Sequence, residues 1–122
     1  MTIYKEVTDL LVEADDLVGG DRKIMHGEFD ANHEGIAKIW SVILKTPIRA
    51  DQVTLCMAGV KIARASNPDS YNRDNFVDGA AYLSMTNALL MKKNGDLWTQ
   101  MQLKKYYERD LSGNIFHYKS YE

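Results

Sequence analysis

Apolar residues recur at helical spacing in four stretches of the chain, which predicts four helices. The first stretch runs from about Ile3 to Val18, with Thr2 as a candidate N-cap and Gly19-Gly20 as a stop signal. The second runs from about Ala31 to Leu44, with Asp30 as a candidate cap. The predicted inward faces are Ile3, Val7, Leu10, Leu11, Ala14 and Leu17 in the first helix, and His33, Ile36, Ala37, Trp40, Ile43 and Leu44 in the second.

The third stretch runs from about Ala50 to Ala65 and ends at the helix-breaking segment Asn67-Pro68-Asp69. The fourth runs from about Asp74 to Lys92, where Asn94-Gly95 is its stop signal. Small side chains in the fourth helix predict either a close approach of helices or room for a ligand. The predicted inward residues are Val53, Cys56, Met57, Val60 and Ala63 in the third helix, and Val77, Ala80, Ala81, Ser84, Ala88 and Met91 in the fourth.

The last thirty residues have a weaker pattern. Apolar positions at 97–107 would form a fifth helix, and Ser112-Gly113-Asn114 is typical of a turn into an extended strand at 115–121. Because a lone hairpin is marginally stable, these aromatic residues predict docking on the bundle or on another subunit. We therefore expect an all-α fold, with a four-helix bundle at 1–92, a C-terminal helix and extended appendage at 93–122, and a homo-oligomer.

Composition narrows the class of protein. The chain has 122 residues, of which 45% are hydrophobic and 26% charged, and its net charge is −2. These values exclude a disordered chain, and the lone Cys56 excludes an internal disulfide framework. The first residues do not resemble a signal peptide, and no apolar run approaches the roughly 20 residues of a membrane span. We expect a soluble, cytoplasmic protein that does not contact a membrane.

The charge is unevenly distributed along the chain. Residues 1–30 carry eight acidic and three basic side chains, whereas 31–90 carry five acidic and six basic ones. Since no basic stripe is present to neutralise a phosphate backbone, binding to duplex nucleic acid is not expected.

The connection between the first two helices, residues 20–32, combines charged residues, a histidine and two glycines over about twelve residues. Connections of this length in compact domains are often functional. The alternative interpretation is a polar loop in which Asp21 and Asp30 form turns or caps.

A second group of candidate residues lies on the third and fourth helices. Lys61 and Arg64 are neighbours on the third helix, and Asp74 and Asp78 stack on the fourth. Lys61 lies in an otherwise apolar stretch, where a charge needs a partner. If the two helices form an antiparallel hairpin, the four side chains either build a salt-bridge network or form a binding site. In such a site the cations would hold an anion and the carboxylates a divalent cation.

Other candidates are weaker. His26 and His33 lack the further ligands that zinc requires, and Cys56 fits a buried small hydrophobic residue. The chain contains no nucleophile elbow, P-loop or dinucleotide-binding glycine motif.

Ordered motifs over residues 17–90 resemble a small phage and prophage helical domain family with the pattern DR…YG…N…IA..W, then DV…K.AR, then D…D.AGY. That family is distantly similar to the MazG-like all-α nucleotide pyrophosphohydrolases. The chain departs from these patterns at His26 and His33, which replace Tyr and Phe, and it has no ExxE pair. The matching residues are Asp21-Arg22, Gly27, Asn32, Ile36-Ala37, Trp40-Ser41, Asp51-Gln52-Val53, Lys61-Ile62-Ala63-Arg64, Asp74 and Asp78-Gly79-Ala80-Ala81-Tyr82.

The resemblance implies a Mg²⁺-dependent protein that acts on nucleoside triphosphates. The metal would bridge phosphate oxygens and activate a water, while cations neutralise phosphate charge. The implied residues are Asp74, Asp78 and Glu34 (or Glu28) as metal ligands, Asp74, Asp78, Lys61 and Arg64 as catalytic residues, and Asp21, Arg22, His26, Asn32 and Tyr82 as ligand-binding residues.

Two alternatives remain open. The missing ExxE pair favours a protein that binds a nucleotide signal without cleaving it and thereby withholds it from a host defence system. The acidic N-terminal quarter would also suit a protein that inhibits a host enzyme.

Overall fold

The computed structural model describes residues 2–20 and 28–95, and this part of the chain contains four α helices and no strand. The helices are α1 (Ile3–Gly19), α2 (Phe29–Leu44), α3 (Ala50–Ala65) and α4 (Arg73–Lys93), and a short 3₁₀ turn, Pro68–Ser70, precedes α4. The expected all-α bundle is confirmed. No helix in the described ranges is long and apolar enough to cross a membrane.

The chain divides into two compact units, Met1–Leu89 and Leu90–Glu122. Of the second unit, the described residues are the last turn of α4 and Asn94-Gly95. The predicted fifth helix, turn and extended strand of the tail lie outside the described residues, as do Asp21, Arg22 and His26 of the first connection.

The helix ends follow from local side-chain chemistry. The Thr2 hydroxyl accepts a hydrogen bond from the Lys5 backbone N–H at 3.1 Å, which confirms the predicted cap of α1. The predicted start of α2 was two residues late, because the Glu28 carbonyl already accepts from the Asn32 N–H at 3.2 Å. Asp30 therefore lies within the first turn of α2 and is not its cap.

The turn between α2 and α3 is held by a serine hydroxyl. Ser41 donates to the Ala37 carbonyl at 2.7 Å and accepts from the Ile48 backbone N–H at 2.9 Å. Lys45, the residue after α2, has φ 55° and ψ 40°, the left-handed conformation that ends many helices. At the start of α3, the Gln52 side chain accepts from the Arg49 backbone N–H at 2.9 Å. The chain therefore reverses direction through specific hydrogen bonds.

The main apolar cluster joins α1 to α4. It consists of buried Ala14, Val77 and Ala81, with Leu10, Leu17, Val18, Ala80 and Met85 packed around them. Alanines supply two of its three buried members, so the contact between α1 and α4 is built largely from small side chains.

The predicted inward faces were partly wrong. Val53 is buried as predicted, but Cys56, Val60 and Ala63 are exposed, and α3 buries Thr54 and Ala58 beside Val53. On α4, Ser84 and Ala88 are exposed, whereas Thr86 is buried. The reason is a polar contact between the helices: the Thr54 and Thr86 hydroxyls lie 2.7 Å apart and fix a face that apolar periodicity does not mark. Ile3, Val7, Leu11, Ile43 and Leu44 were also predicted inward and are exposed.

Candidate polar pocket between two helices

A polar pocket lies where α3 ends and α4 begins. Its volume is about 560 Å³, within the range of roughly 300–1,000 Å³ that is usual for small-molecule sites. All four residues predicted to be catalytic line it, although they come from two different helices. The lining residues are Lys61, Ala63, Arg64, Asn67, Ser70, Asn72, Asp74, Asn75 and Asp78.

The antiparallel register of α3 and α4 brings these residues together. Thr54 lies opposite Thr86 near one end of the hairpin, and Lys61 lies opposite Asp78 further along. A Cβ atom built on Gly79 would lie 3.6 Å from the Lys61 Cβ, so the two backbones pass close to each other. The predicted antiparallel hairpin is therefore present, and its closed end carries the pocket.

Lys61 and Asp78 form an ion pair across the hairpin. The Lys61 Nζ lies 3.0 Å from the Asp78 Oδ2, and each side chain is only 16% exposed. The predicted salt bridge between the third and fourth helices is thus present for these two residues. Because the pair also lines the pocket, it does not exclude a binding role.

Arg64 and Asp74 differ from that pair, since both are exposed. Within the described ranges, neither the Arg64 guanidinium nor the Asp74 carboxylate has a hydrogen bond or an ion pair. The pocket therefore offers one cation and one carboxylate that are available to a ligand. An arginine with a free guanidinium is well suited to bidentate contact with a phosphate.

Two asparagines shape the connection between the helices. The Asn67 Oδ1 accepts from the Asp69 backbone N–H at 3.1 Å, and the Asn72 Oδ1 accepts from the Asp74 backbone N–H at 3.0 Å. Each amide oxygen therefore already accepts one hydrogen bond, whereas no hydrogen bond in the described ranges uses the amide nitrogens, which can donate to a ligand. The lining thus presents N–H donors next to Arg64.

Asn75 is a pocket residue that the sequence analysis missed. It is 8% exposed, and no group in the described part of the chain hydrogen-bonds its side chain. A signal was present in the sequence, because Asn75, Gly79, Tyr82 and Thr86 are spaced by four, three and four residues. This spacing places polar and small residues on one face of α4, which a search for apolar periodicity overlooks.

The start of α4 is also attached to α1, through the side chain of Arg73. Arg73 donates to Glu13 at 3.0 Å and to Glu6 at 3.3 Å, both on α1. The hydrogen bond to Glu13, followed by the charges of the two carboxylates, raises the pKa of Arg73 above its usual range. Arg73 separates Asn72 from Asp74, so these bonds fix the turn from which the pocket residues project.

Other predicted site residues lie elsewhere. Asn32 and Glu34 are exposed on α2 and do not line the pocket. Tyr82 makes an edge-to-face contact with buried His33, with ring centroids 6.2 Å apart and an angle of 84° between the rings. The His33 Nδ1–H donates to the Phe29 carbonyl at 2.6 Å.

A family model described as "Domain of unknown function (DUF6378)" matches residues 9–90. The chain belongs to this family. The match to the DUF6378 domain ends one residue beyond the first compact unit and includes every residue that lines the pocket. No curated protein and no solved structure matches the chain. The similarity to MazG-like enzymes and the motif pattern remain predictions.

Metal binding by the DUF6378 domain also remains a prediction. The described residues contain no group of three or more His, Cys, Asp or Glu side chains that could hold a metal ion. However, Mg²⁺ is commonly held by one or two carboxylates together with substrate phosphates. In this pocket those carboxylates would be Asp74 and Asp78, and Glu34 lies outside the lining.

Proposed function

We propose that the protein binds a nucleotide in the pocket between α3 and α4. The observation that carries this proposal is the exposed guanidinium of Arg64, which has no ion pair among the described residues, in the same lining as the side-chain N–H donors of Asn67 and Asn72. Cations and N–H donors together favour an anionic ligand that is rich in acceptor oxygens, which describes a phosphate chain.

Each pocket residue has a role in this proposal. Arg64 makes a bidentate contact with a phosphate, and the two asparagine nitrogens donate to neighbouring phosphate oxygens. Lys61 and Asp78 stay paired, so they line the site without adding net charge, and the phosphate contact falls to Arg64. A volume of about 560 Å³ accommodates a ligand of this size.

A Mg²⁺-dependent pyrophosphohydrolase is the second candidate, favoured by the unpaired carboxylate of Asp74 in the same pocket. Asp74 and Asp78 would hold the metal, and the metal would neutralise charge on the phosphates. We place simple binding first because Asp78 is already paired with Lys61, which leaves one carboxylate for the cation.

The biological setting is part of the same proposal. A phage-encoded protein that sequesters a nucleotide signal from a host defence system needs binding without turnover. The inhibitor alternative has less support, because three acidic residues of α1, namely Glu6, Asp9 and Glu13, are engaged in ion pairs within the chain. Self-association remains a prediction, since the aromatic residues it rests on lie outside the described ranges.

The test compares two variants that each lose one exposed cation. Arg64→Met removes the pocket guanidinium, and Lys38→Met removes a cation from α2 outside the pocket. Calorimetric titration with the four ribonucleoside triphosphates should show binding to the wild type and to Lys38→Met. Loss of a charge-assisted phosphate contact should weaken binding to Arg64→Met about 10- to 100-fold.

Chromatography of the same mixtures, with and without Mg²⁺, separates the two candidate functions. Recovery of intact nucleotide supports binding alone, whereas Mg²⁺-dependent release of monophosphate and pyrophosphate supports the hydrolase. If no nucleotide binds to the wild type, or if the two variants bind equally well, the proposal is wrong.

A further inference from the structure

Asn75 is the least explained polar residue of the pocket. It is more than nine-tenths buried, yet no group in the described ranges hydrogen-bonds its side chain. Fully buried polar side-chain atoms in those ranges all have partners. The unpartnered amide of Asn75 must therefore form the accessible part of the residue, where it lines the pocket.

Asn75 differs from the other two pocket asparagines in what it offers a ligand. Asn67 and Asn72 each use the amide oxygen to accept a backbone N–H group, which fixes that oxygen toward the connecting segment and leaves the NH₂ group as the end without a hydrogen bond in the described ranges. The Asn75 amide keeps both its oxygen and its nitrogen free, so it presents an acceptor next to a donor in one plane. A phosphate carries acceptors alone and cannot satisfy this pair.

The helix register places Asn75 at the level of Arg64. In this antiparallel pair of helices, Thr54 faces Thr86 and Lys61 faces Asp78. Arg64 follows Lys61 by three residues and Asn75 precedes Asp78 by three, so both lie about one turn beyond the ion pair, at the same level of the hairpin. A single ligand can therefore contact both side chains.

We propose that Asn75 determines the specificity of the site by hydrogen-bonding the edge of a nucleobase while Arg64 holds the phosphates. Nucleobase edges present a donor beside an acceptor in one plane, which matches an amide that accepts and donates at once. This inference rests on the proposed function and adds to it the residue that recognises the base, which distinguishes a nucleotide from a sugar phosphate or a polyphosphate.

The test uses probes that differ in the presence of a base. The four ribonucleoside triphosphates carry one, whereas tripolyphosphate and ribose 5-phosphate do not. The wild type, Asn75→Leu and Asn75→Asp are titrated with each compound, and Asn87→Leu, an exposed position on the same helix, is the matched control.

We expect the wild type to bind at least one nucleoside triphosphate more tightly than tripolyphosphate. In Asn75→Leu that preference should fall about 10-fold or more, with tripolyphosphate affinity unchanged. Since no group in residues 2–20 or 28–95 hydrogen-bonds this amide, the melting temperature of Asn75→Leu should match that of Asn87→Leu. Asn75→Asp keeps the shape but loses the donor and adds a negative charge. The charge lowers affinity for every phosphate probe, so the expected result is a change in which base is preferred when each affinity is compared with that for tripolyphosphate.

The outcomes distinguish a failure of the Asn75 proposal from a failure of the proposed nucleotide-binding function. If nucleotides bind through Arg64 but both Asn75 variants keep the wild-type preference among the probes, the role of Asn75 is refuted and the phosphate site stands. A fall in affinity for every probe, together with a lower melting temperature, shows a structural role and also refutes it. If the wild type binds none of the probes, both proposals fail. Should Asn75→Leu not fold, Asn75→Asp carries the test.

Discussion

Replacing Asp78 by Asn removes one charge from the ion pair with Lys61 and leaves the shape of the side chain unchanged. The lysine then keeps a charge in a site where it is only 16% exposed. An exposed pair contributes at most about 1 kcal/mol, whereas removing one partner of a fully buried pair costs roughly 3–5 kcal/mol. The Lys61 and Asp78 side chains lie between these limits, so we expect a loss of about 2 kcal/mol in the free energy of unfolding.

For a chain of 122 residues this loss lowers the melting temperature by roughly 8 °C. Thermal unfolding followed by circular dichroism measures the shift for Asp78→Asn, for Lys61→Met and for the double variant. Because the double variant leaves no unpaired charge, it should be about 1–2 kcal/mol more stable than the sum of the single losses.

Two results would refute this reasoning. A shift below about 4 °C in Asp78→Asn, which corresponds to about 1 kcal/mol, would mean that the pair contributes no more than an exposed one. Strict additivity in the double variant would mean that the two side chains do not interact. A variant that loses Mg²⁺-dependent turnover but keeps the wild-type melting temperature would instead assign Asp78 to catalysis.

Three further predictions concern the scaffold around the pocket. Thr54→Val removes the hydroxyl that contacts Thr86 in a fully buried site and should cost about 1–2 kcal/mol of unfolding free energy in denaturant titrations; an unchanged midpoint would contradict it. Lys45→Gly relieves a left-handed backbone conformation and should raise the free energy of unfolding by about 0.5–1 kcal/mol, so a lower melting temperature would count against that geometry. Arg73→Met removes the bonds to α1 and should weaken nucleotide binding, because the first turn of α4 is then less fixed. High salt should reduce the difference in affinity between this variant and the wild type. Equal affinities at low salt would show that the bonds to α1 do not position the site.

Apolar periodicity, together with helix-capping and helix-breaking residues, was enough to predict the helices. Apolar spacing with Thr2 at the start gave α1, and the break at Pro68 separated α3 from α4 at the observed place. The ion pair of Lys61 was also predictable, because a lysine inside an apolar helix needs a carboxylate and Asp78 lies at the matching level of an antiparallel neighbour.

The buried face of α3 was not predictable by the same reasoning. Apolar residues surround this helix, so periodicity alone does not choose between a face that continues from Val53 to Cys56 and Val60 and one that continues from Val53 to Thr54 and Ala58. The choice depends on Thr54 and its hydroxyl contact with Thr86, two residues that are far apart in sequence. A polar contact between distant residues leaves no local pattern.

The same limit applies to the pocket. Its charged residues stood out in the sequence because charge is conspicuous, and the structure brings all four to one place. Asn75 did not stand out, since an asparagine in the first turn of a helix is common and only its burial and its missing partner give it meaning.

The central claim is that the pocket between α3 and α4 binds a nucleotide, and nuclear magnetic resonance tests it most directly. The ¹H–¹⁵N spectrum of the wild type is followed while ATP, and then each other ribonucleoside triphosphate, is added. The account predicts saturable shifts at the side-chain amides of Asn67, Asn72 and Asn75 and at backbone amides of residues 61–78, with α2 unaffected over 36–44. Shifts that cluster away from 61–78, or no shift with any of the four nucleotides, would contradict it.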